Sequence, residues 1–136
     1  MDRISPSPSV LSDAFYAGCR EGRLLLQQCD ACSRWQFYPR ILCSHCGKRD
    51  LHWRPASGRG HIATFTVVRH PVSPAYETPY VVALVDLEEG PRMMSHIVGR
   101  DPDAVRVGAA VSVQFESWSE SLTMPVFEMQ RPPDAP

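Results

Sequence analysis

Four cysteines in two closely spaced pairs are the residues of this 136-residue sequence whose type and spacing suit a chemical role. Cys29 and Cys32 form one C-x2-C pair, Cys43 and Cys46 form a second, and ten residues separate the pairs. A C-x2-C hairpin turns two thiolates toward one point, and a second hairpin completes a tetrahedral set of sulfurs. The pattern therefore predicts a metal site with all four cysteines as ligands.

Zinc is the metal favoured, although four thiolates also accept iron. Disulfides would need an oxidising compartment, and the Ser/Pro-rich N-terminus lacks the apolar core of a secretion signal. A redox C-x2-C motif would need a βαβ context, which the sequence around the pairs does not show. Because four thiolates leave no coordination position for water or substrate, the predicted zinc is structural.

Three neighbouring residues complete the local prediction. Gly47 follows the second pair and permits the positive φ that such a knuckle needs. His45 lies inside that pair and is superfluous as a ligand. Cys19 is the odd cysteine, and we expect it to be a small buried hydrophobe.

The elements that must position the cysteines are short. Ser12 is predicted to cap a helix that continues through Cys19 and ends near Gly22. Extended segments are predicted at residues 24–28, 35–38 and 51–54, around the cysteine pairs. The ten-residue spacer implies a tight, rubredoxin-like pair of loops, and the Pro/Gly-containing segment 55–60 is predicted to be a hinge.

After residue 61 the sequence predicts β-structure throughout. The expected strands cover residues 62–68, 80–87, 93–98, 111–116 and 122–129. Pro125 implies an edge or a bulge in the last of them. Five short strands favour a small closed barrel such as an OB-fold. The predicted fold is thus mainly β: a flexible tail and short helix (1–23), a four-cysteine, rubredoxin-like zinc ribbon (24–57) and a C-terminal OB-fold β-barrel (58–136).

Composition limits the functions that are compatible with this fold. The chain is 43% hydrophobic and 21% charged, as in ordinary globular proteins, and no segment has the apolar length of a membrane span. A cytoplasmic location is the default expectation. The five histidines are scattered without a nucleophile and an orienting acid at recognisable spacing, so we expect no catalysis by this chain alone.

Nucleic-acid binding is the main rival function, because zinc ribbons and OB barrels both occur in nucleic-acid-binding proteins. Residues 1–60 carry nine basic and five acidic side chains, whereas residues 61–136 carry five basic and ten acidic ones. The acidic barrel half disfavours phosphate binding, and the basic ribbon half leaves weak binding open.

The order of short helix, four-cysteine ribbon and barrel resembles a family of zinc-ribbon/OB-fold proteins associated with acyl-CoA metabolism, formerly a domain of unknown function. The resemblance extends over residues 15–127. It is carried by the cysteine quartet and by four further segments: Phe65-Thr66-Val67-Val68-Arg69, Pro79-Tyr80-Val81-Val82-Ala83-Leu84-Val85, Glu89-Gly90-Pro91-Arg92 and Val105-Arg106-Val107-Gly108.

The resemblance implies a partner enzyme that works on CoA esters. Members of this family accompany thiolases, sterol-carrier-type thiolases and aldolases, hydroxymethylglutaryl-CoA synthase, or hot-dog hydratases, and they help to form the channel that holds the CoA ester. The expected function is therefore a non-catalytic accessory subunit that helps a thiolase-like or related enzyme to bind acyl-CoA.

The residues themselves offer tentative contacts for a CoA ester. Its phosphates favour basic side chains and its acyl group favours an apolar slot. Arg69 and His70 end the first barrel strand and Arg92 begins the third, so these are candidate phosphate or pantetheine contacts, unless they are only solvated strand ends. Met93 and Met94 are candidates for an adaptable slot, although one of the two is expected in the core.

A third hypothesis is an architectural adaptor without any ligand. The Phe15/Tyr16 face of the helix and the aromatic residues Trp35, Phe37 and Tyr38 would then face a partner protein. The same aromatic residues could equally form the small core of the ribbon.

Overall fold

One helix, three short strands and five longer strands follow one another along the chain. The computed structural model describes residues 3–130. The elements are α1 (Asp13–Arg20), β1 (Leu25–Cys29), β2 (Trp35–Gln36), β3 (Leu51–Pro55), β4 (Arg59–Val68), β5 (Tyr80–Leu87), β6 (Arg92–Val98), a 3-10 turn (Pro102–Ala104), β7 (Ala110–Ser117) and β8 (Thr123–Met129). The predicted mainly-β fold is confirmed. Within the described residues, no helix has the length and apolar character needed to cross a membrane.

The helix α1 is positioned as predicted, but Ser12 does not cap it with its side chain. Ser12 has φ −100° and ψ −3°, close to helical rather than extended values, so its hydroxyl does not face the free N–H groups of the first turn. The hydroxyl instead accepts a hydrogen bond from the Ser9 N–H at 2.9 Å. At the other end, Gly22 has φ 74° and terminates the helix as the sequence predicts.

The ribbon is a three-stranded antiparallel sheet in the order β2-β1-β3. Two buried amides extend its hydrogen bonding into the loop that follows β2. Gln27 donates to the Arg40 carbonyl and accepts from the Arg40 N–H, both at 2.9 Å. Gln36 donates to the Gln27 side-chain oxygen at 2.8 Å and accepts from the Ser44 N–H at 2.8 Å. The predicted strand 35–38 is therefore only two residues long. Beyond Gln36, the loop bonds to the side-chain amides of Gln27 and Gln36 instead of to a neighbouring strand.

The barrel closes in the order β4-β5-β6-β8-β7, which confirms the OB-type architecture. Alternate residues of β5 fill its interior: Val81, Ala83, Val85 and Leu87. Strand β4 begins at Arg59 because residues 59–61 pair with β7, so part of the predicted hinge is strand. At Gly60 a Cβ would collide with the Asp86 carbonyl oxygen, so close strand approach rather than flexibility requires this glycine.

Strands β6 and β8 meet only at their ends within the described barrel. The parallel pairs are Ile97 with Phe127 and Val98 with Glu128. Before these pairs the two strands separate, and the Ser95 hydroxyl bridges the opening by donating to the Pro125 carbonyl at 2.8 Å. We call this opening the β6–β8 seam. The prediction that Pro125 marks an edge or bulge agrees with its place in the part of β8 that pairs with β7 alone.

Candidate functional site

The two cysteine pairs form two equivalent knuckles. In the first, the Ser33 N–H donates to the Cys29 carbonyl at 2.7 Å, and in the second the Gly47 N–H donates to the Cys43 carbonyl at 2.9 Å. Gly47 has φ 76°, as predicted, and Ser33 has φ 65°. Ser33 was not predicted to have a positive φ, although it follows the first pair as Gly47 follows the second. That equivalent spacing is the signal that would have identified it.

The four predicted sulfurs converge on one point. The Sγ atoms of Cys29 and Cys46 are 3.7 Å apart, as are those of Cys32 and Cys43, and all four lie within 4.8 Å of one another. Zinc–sulfur bonds of about 2.3 Å in a tetrahedron require S···S distances of about 3.8 Å. The cluster therefore has the dimensions of a tetrahedral metal site. His45 lies outside it, with its Nδ1 atom 3.2 Å from the Arg34 Nη1 atom.

The backbone of the second knuckle favours the thiolate that a metal requires. The N–H of Cys46 and that of His45 point at the Cys43 sulfur, and these contacts lower the pKa of Cys43 to about 6. Cys19 is the opposite case, since burial raises the pKa of its thiol to about 12. Cys19 is 1% exposed and packs in the hydrophobic core, as predicted for a cysteine without a chemical role.

An apolar groove of about 370 Å³ lies along the β6–β8 seam. Helix α1 contributes Phe15 and Tyr16 to its walls, and the ribbon contributes Phe37 and Tyr38. The barrel and its loops supply Val82, Met93, Met94, Ser95, His96, Trp118, Met124, Pro125 and Val126. The groove thus joins all three parts of the chain. Several of these residues were predicted to be functional from the sequence. Their convergence in one groove was not predicted, because it depends on where β6 and β8 separate.

The aromatic face of α1 is not a free surface. Phe15 and Tyr16 are 2% and 5% exposed and pack in the core, so the idea that they face a partner protein is wrong. Burial, followed by a side-chain hydrogen bond with Tyr38, raises the pKa of Tyr16 to about 12, so its hydroxyl stays protonated. Tyr38 is 45% exposed and is the aromatic residue of the ribbon that remains available at the surface.

The four tentative CoA contacts do not lie together. Arg69 and His70 are exposed and follow β4, whose end pairs with Tyr80 at the start of β5. Arg92 lies opposite Asp86, six residues further along β5 and therefore about 20 Å away. No single ligand end can contact both places.

Two of these residues already have local roles. Arg92 donates two hydrogen bonds to the Asp86 carboxylate, at 2.6 and 3.1 Å. Met93 is 3% exposed, so it is the core member of the methionine pair, while Met94 is 68% exposed beside the groove. The expectation that one methionine belongs to the core is met.

His96 is the one imidazole that lines the groove. Burial and then the positive charge of Arg3 lower the pKa of His96, while the Glu116 carboxylate opposes this shift. Its ring lies 5.2 Å from that of Tyr80 and 5.9 Å from that of Trp118. The imidazole is therefore held neutral among aromatic rings at neutral pH.

Acidification is expected to destabilise the protein partly through His96. Because the folded-state pKa lies below the ordinary value near 6.5, the unfolded chain binds the proton more strongly, and stability falls as pH drops through and below that value. Urea unfolding at pH 7.5 and pH 5.5 measures the loss. In His96→Phe the loss should be smaller, since every other titratable group is the same in both proteins. An equal loss in both would contradict this role of His96.

Known protein families match most of the chain. The model of the ChsH2 rubredoxin-like zinc ribbon domain matches residues 17–52, and that of the ChsH2 C-terminal OB-fold domain matches residues 53–116. Together they cover half of α1, the cysteine cluster and four of the five barrel strands.

Curated relatives include proteins of two kinds. A probable enoyl-CoA hydratase alpha subunit of Thermomonospora curvata is 38% identical over 91% of this chain, which spans only 40% of that relative. A DUF35 domain-containing scaffold protein of Methanothermobacter thermautotrophicus is 37% identical over 68% of this chain and 71% of its own length.

Two solved structures share the fold. The match in the Ltp2-ChsH2(DUF35) aldolase has a TM-score of 0.85 and 35% identity, over 92% of this chain and 98% of the other. A DUF35-family protein of Sulfolobus solfataricus has a TM-score of 0.64 and 16% identity, over 90% of this chain and 87% of that one, which supports the fold alone.

Proposed function

We propose that this chain, which belongs to the family of ChsH2-type zinc-ribbon and OB-fold (DUF35) proteins, is a non-catalytic subunit of an enzyme complex that acts on acyl-CoA. Its cysteine cluster would hold a structural zinc ion. Its groove would hold an apolar part of the CoA ester next to the active site of a partner enzyme. The observation that carries the proposal is the groove on the β6–β8 seam, which is mainly apolar and has no paired base and nucleophile among its lining residues.

The zinc assignment is supported by the donor set and its spacing. The four sulfurs have tetrahedral S···S distances, and the knuckle N–H groups favour the thiolate of Cys43. A closed shell of four thiolates supplies folding free energy and takes no part in a reaction. Zinc would therefore fix the ribbon that carries Phe37 and Tyr38 into the groove.

The size and lining of the groove fit an acyl or pantetheine segment. Its volume of about 370 Å³ lies in the range of small-molecule sites, and methionine side chains adapt to varied apolar shapes. Met93 contributes to the floor. Arg69 and His70 adjoin the Tyr80 end of β5, next to His96, and Arg69 forms no ion pair with the residues that the structure describes. These two remain the candidates for phosphate, whereas Arg92 would first have to leave Asp86.

The groove chemistry supports catalysis by a partner rather than by this chain. Its walls carry one neutral imidazole, His96, and the hydroxyls of Ser95, Tyr16 and Tyr38, with no carboxylate or thiol among the lining residues. A proton transfer or a nucleophilic attack needs a paired base and nucleophile within hydrogen-bond reach. This groove can orient a substrate but offers no such pair.

The relatives' names support a CoA-dependent partner. They include hydratase alpha subunits, an aldolase complex and scaffold proteins. A thiolase-like enzyme is one class within this proposal. The chain spans 40% of the Thermomonospora relative, so most of that subunit lies outside the matched region.

The test is affinity purification from the native cells, identification of the stoichiometric partner, and reconstitution of the two. The isolated chain should not turn over CoA esters, and adding it should raise the partner's kcat/KM by about tenfold or more, the effect of about 1.4 kcal/mol. Turnover by the purified chain alone would overturn the accessory role. Recovery of nucleic-acid-processing proteins that are lost on nuclease treatment would favour the rival function.

A matched pair of variants tests the groove itself. Met94→Asp places a charge beside the groove at a 68% exposed position, so it should abolish the stimulation without unfolding the chain. Val107→Asp makes the same change at a 65% exposed position outside the groove lining and should keep the stimulation. Equal behaviour of the two variants would exclude the groove as the contact.

A further inference from the structure

Four aromatic rings form a closed circuit at one end of the groove. Tyr76 lies 5.7 Å from Tyr80, Tyr80 lies 5.2 Å from His96, His96 lies 5.9 Å from Trp118, and Trp118 returns to Tyr76 at 6.3 Å, all between ring centroids. These rings come from the β4–β5 loop, β5, β6 and the β7–β8 connection. We call them the aromatic cage.

The guanidinium group of Arg3 lies over two of the four rings of this cage, those of Tyr76 and Trp118. Its Cζ atom lies 4.9 Å from the centroid of the Trp118 ring and 5.2 Å from that of Tyr76. Its Nη1 atom donates to Glu116 Oε1 at 2.8 Å. The same oxygen accepts the Trp118 indole N–H at 3.1 Å. One carboxylate therefore fixes both the cation and the ring that faces it.

The position of Arg3 differs from the flexible tail that the sequence predicts for residues 1–10. Residues 1 and 2 lie outside the described part, but Arg3 is half-buried, and residues 4–11 are exposed. At the other end of the segment, Ser9 and Ser12 exchange hydrogen bonds at the start of α1. The segment is thus attached at both ends.

We propose that the aromatic cage and Glu116 form a binding site for a guanidinium group, and that Arg3 is its resident ligand in the free chain. Ring faces attract a cation, and the flat guanidinium can stack on a ring while its edge meets a carboxylate. An ammonium group is compact and cannot do both equally well. This proposal does not rest on the proposed role in acyl-CoA metabolism.

The cage is coupled to the groove through shared residues. His96 and Trp118 belong to both, and the Trp118 ring is held by the carboxylate that holds Arg3. A guanidinium in the cage therefore sets the position of one groove wall. An arginine from another protein would meet the same rings and the same carboxylate if it replaced Arg3.

The test is chemical rescue followed by NMR. The chain has three tryptophans, so the Trp118 indole N–H signal can be assigned with Trp118→Phe while Trp35 and Trp53 serve as internal references. Arg3→Ala should move the Trp118 signal and leave the other two in place. Arg40→Ala, which removes an exposed guanidinium in the ribbon, should move none of the three as far.

Methylguanidinium added to Arg3→Ala should return the Trp118 signal toward its original position, saturably and in the millimolar range. The uncharged methylurea, which has nearly the same shape, should not. The wild-type protein should need about ten times more methylguanidinium or more, because the tethered Arg3 competes at a high effective concentration. The proposal would be wrong if Arg3→Ala left the Trp118 signal in place, or if methylguanidinium and methylurea moved that signal equally.

Discussion

Replacing Cys43 by alanine is expected to release the metal ion and to unfold most of residues 24–54. Three sulfurs cannot complete the tetrahedral shell, and metal binding in such ribbons is itself folding free energy, worth about 10–16 kcal/mol in isolated zinc-finger peptides. Leu24 and Leu26 share the core cluster with the barrel, so the melting temperature of the whole chain should also fall. The barrel strands should nevertheless keep their hydrogen-exchange protection.

The measurements are metal content by mass spectrometry and residue-level hydrogen exchange. Wild-type protein should carry one zinc ion per chain and the variant close to none. Cys19→Ala is the matched control, because Cys19 is buried in the core and lies outside the sulfur cluster. That variant should keep its zinc. If Cys43→Ala retained one tightly bound zinc ion and a normal melting profile, the structural role of the cluster would be refuted.

Phe127→Ala is expected to lower the free energy of unfolding by about 3–5 kcal/mol, a large share of the stability of a small domain. The Phe127 side chain is 0% exposed and is the largest of the fully buried ones. It pairs with Ile97 across the parallel closure and with Val113 on β7. The cavity would therefore lie where the barrel closes, at the end of the seam.

Denaturant unfolding of Phe127→Ala beside Met94→Ala measures this effect. Met94 lies on the neighbouring strand β6 and is 68% exposed, so its truncation should change stability by no more than about 0.5 kcal/mol. Similar losses for the two variants would mean that the closure between β6 and β8 contributes little to folding.

The features that the sequence predicts well depend on local spacing. The cysteine pairs and the knuckle glycine are separated by a few residues, and the alternation along β5 gives its inward face directly. The family resemblance is confirmed by the matching models of the zinc ribbon and OB-fold domains. The cysteine pairs and the alternation along β5 can be read from the sequence because each depends on residues a few positions apart.

The features that the sequence does not predict depend on distant contacts. The sequence does not indicate an ion-pair partner for Arg92. The antiparallel register of β5 and β6, however, places Asp86 directly opposite it. Predicting the groove requires knowing where β6 and β8 separate. Predicting the position of Arg3 requires its contact with Glu116, which lies 113 positions away in the sequence. Ser12 fails as a cap because the preceding turn at Ser9 gives its hydroxyl another partner.

The closure of the barrel has a consequence for how partners can be exchanged. Among residues 59–129, every barrel strand has a neighbour on each side, although β4 and β7 pair only through residues 59–61 and 110–112. Strands β6 and β8 pair only through residues 97–98 and 127–128, and within the seam Pro125 has no N–H to donate to an added strand. Because no barrel strand is open along its whole length, we expect partners to recognise the barrel mainly through its side chains and loops. Single substitutions of exposed side chains can therefore alter which partner the barrel binds while the hydrogen bonds between its strands stay the same.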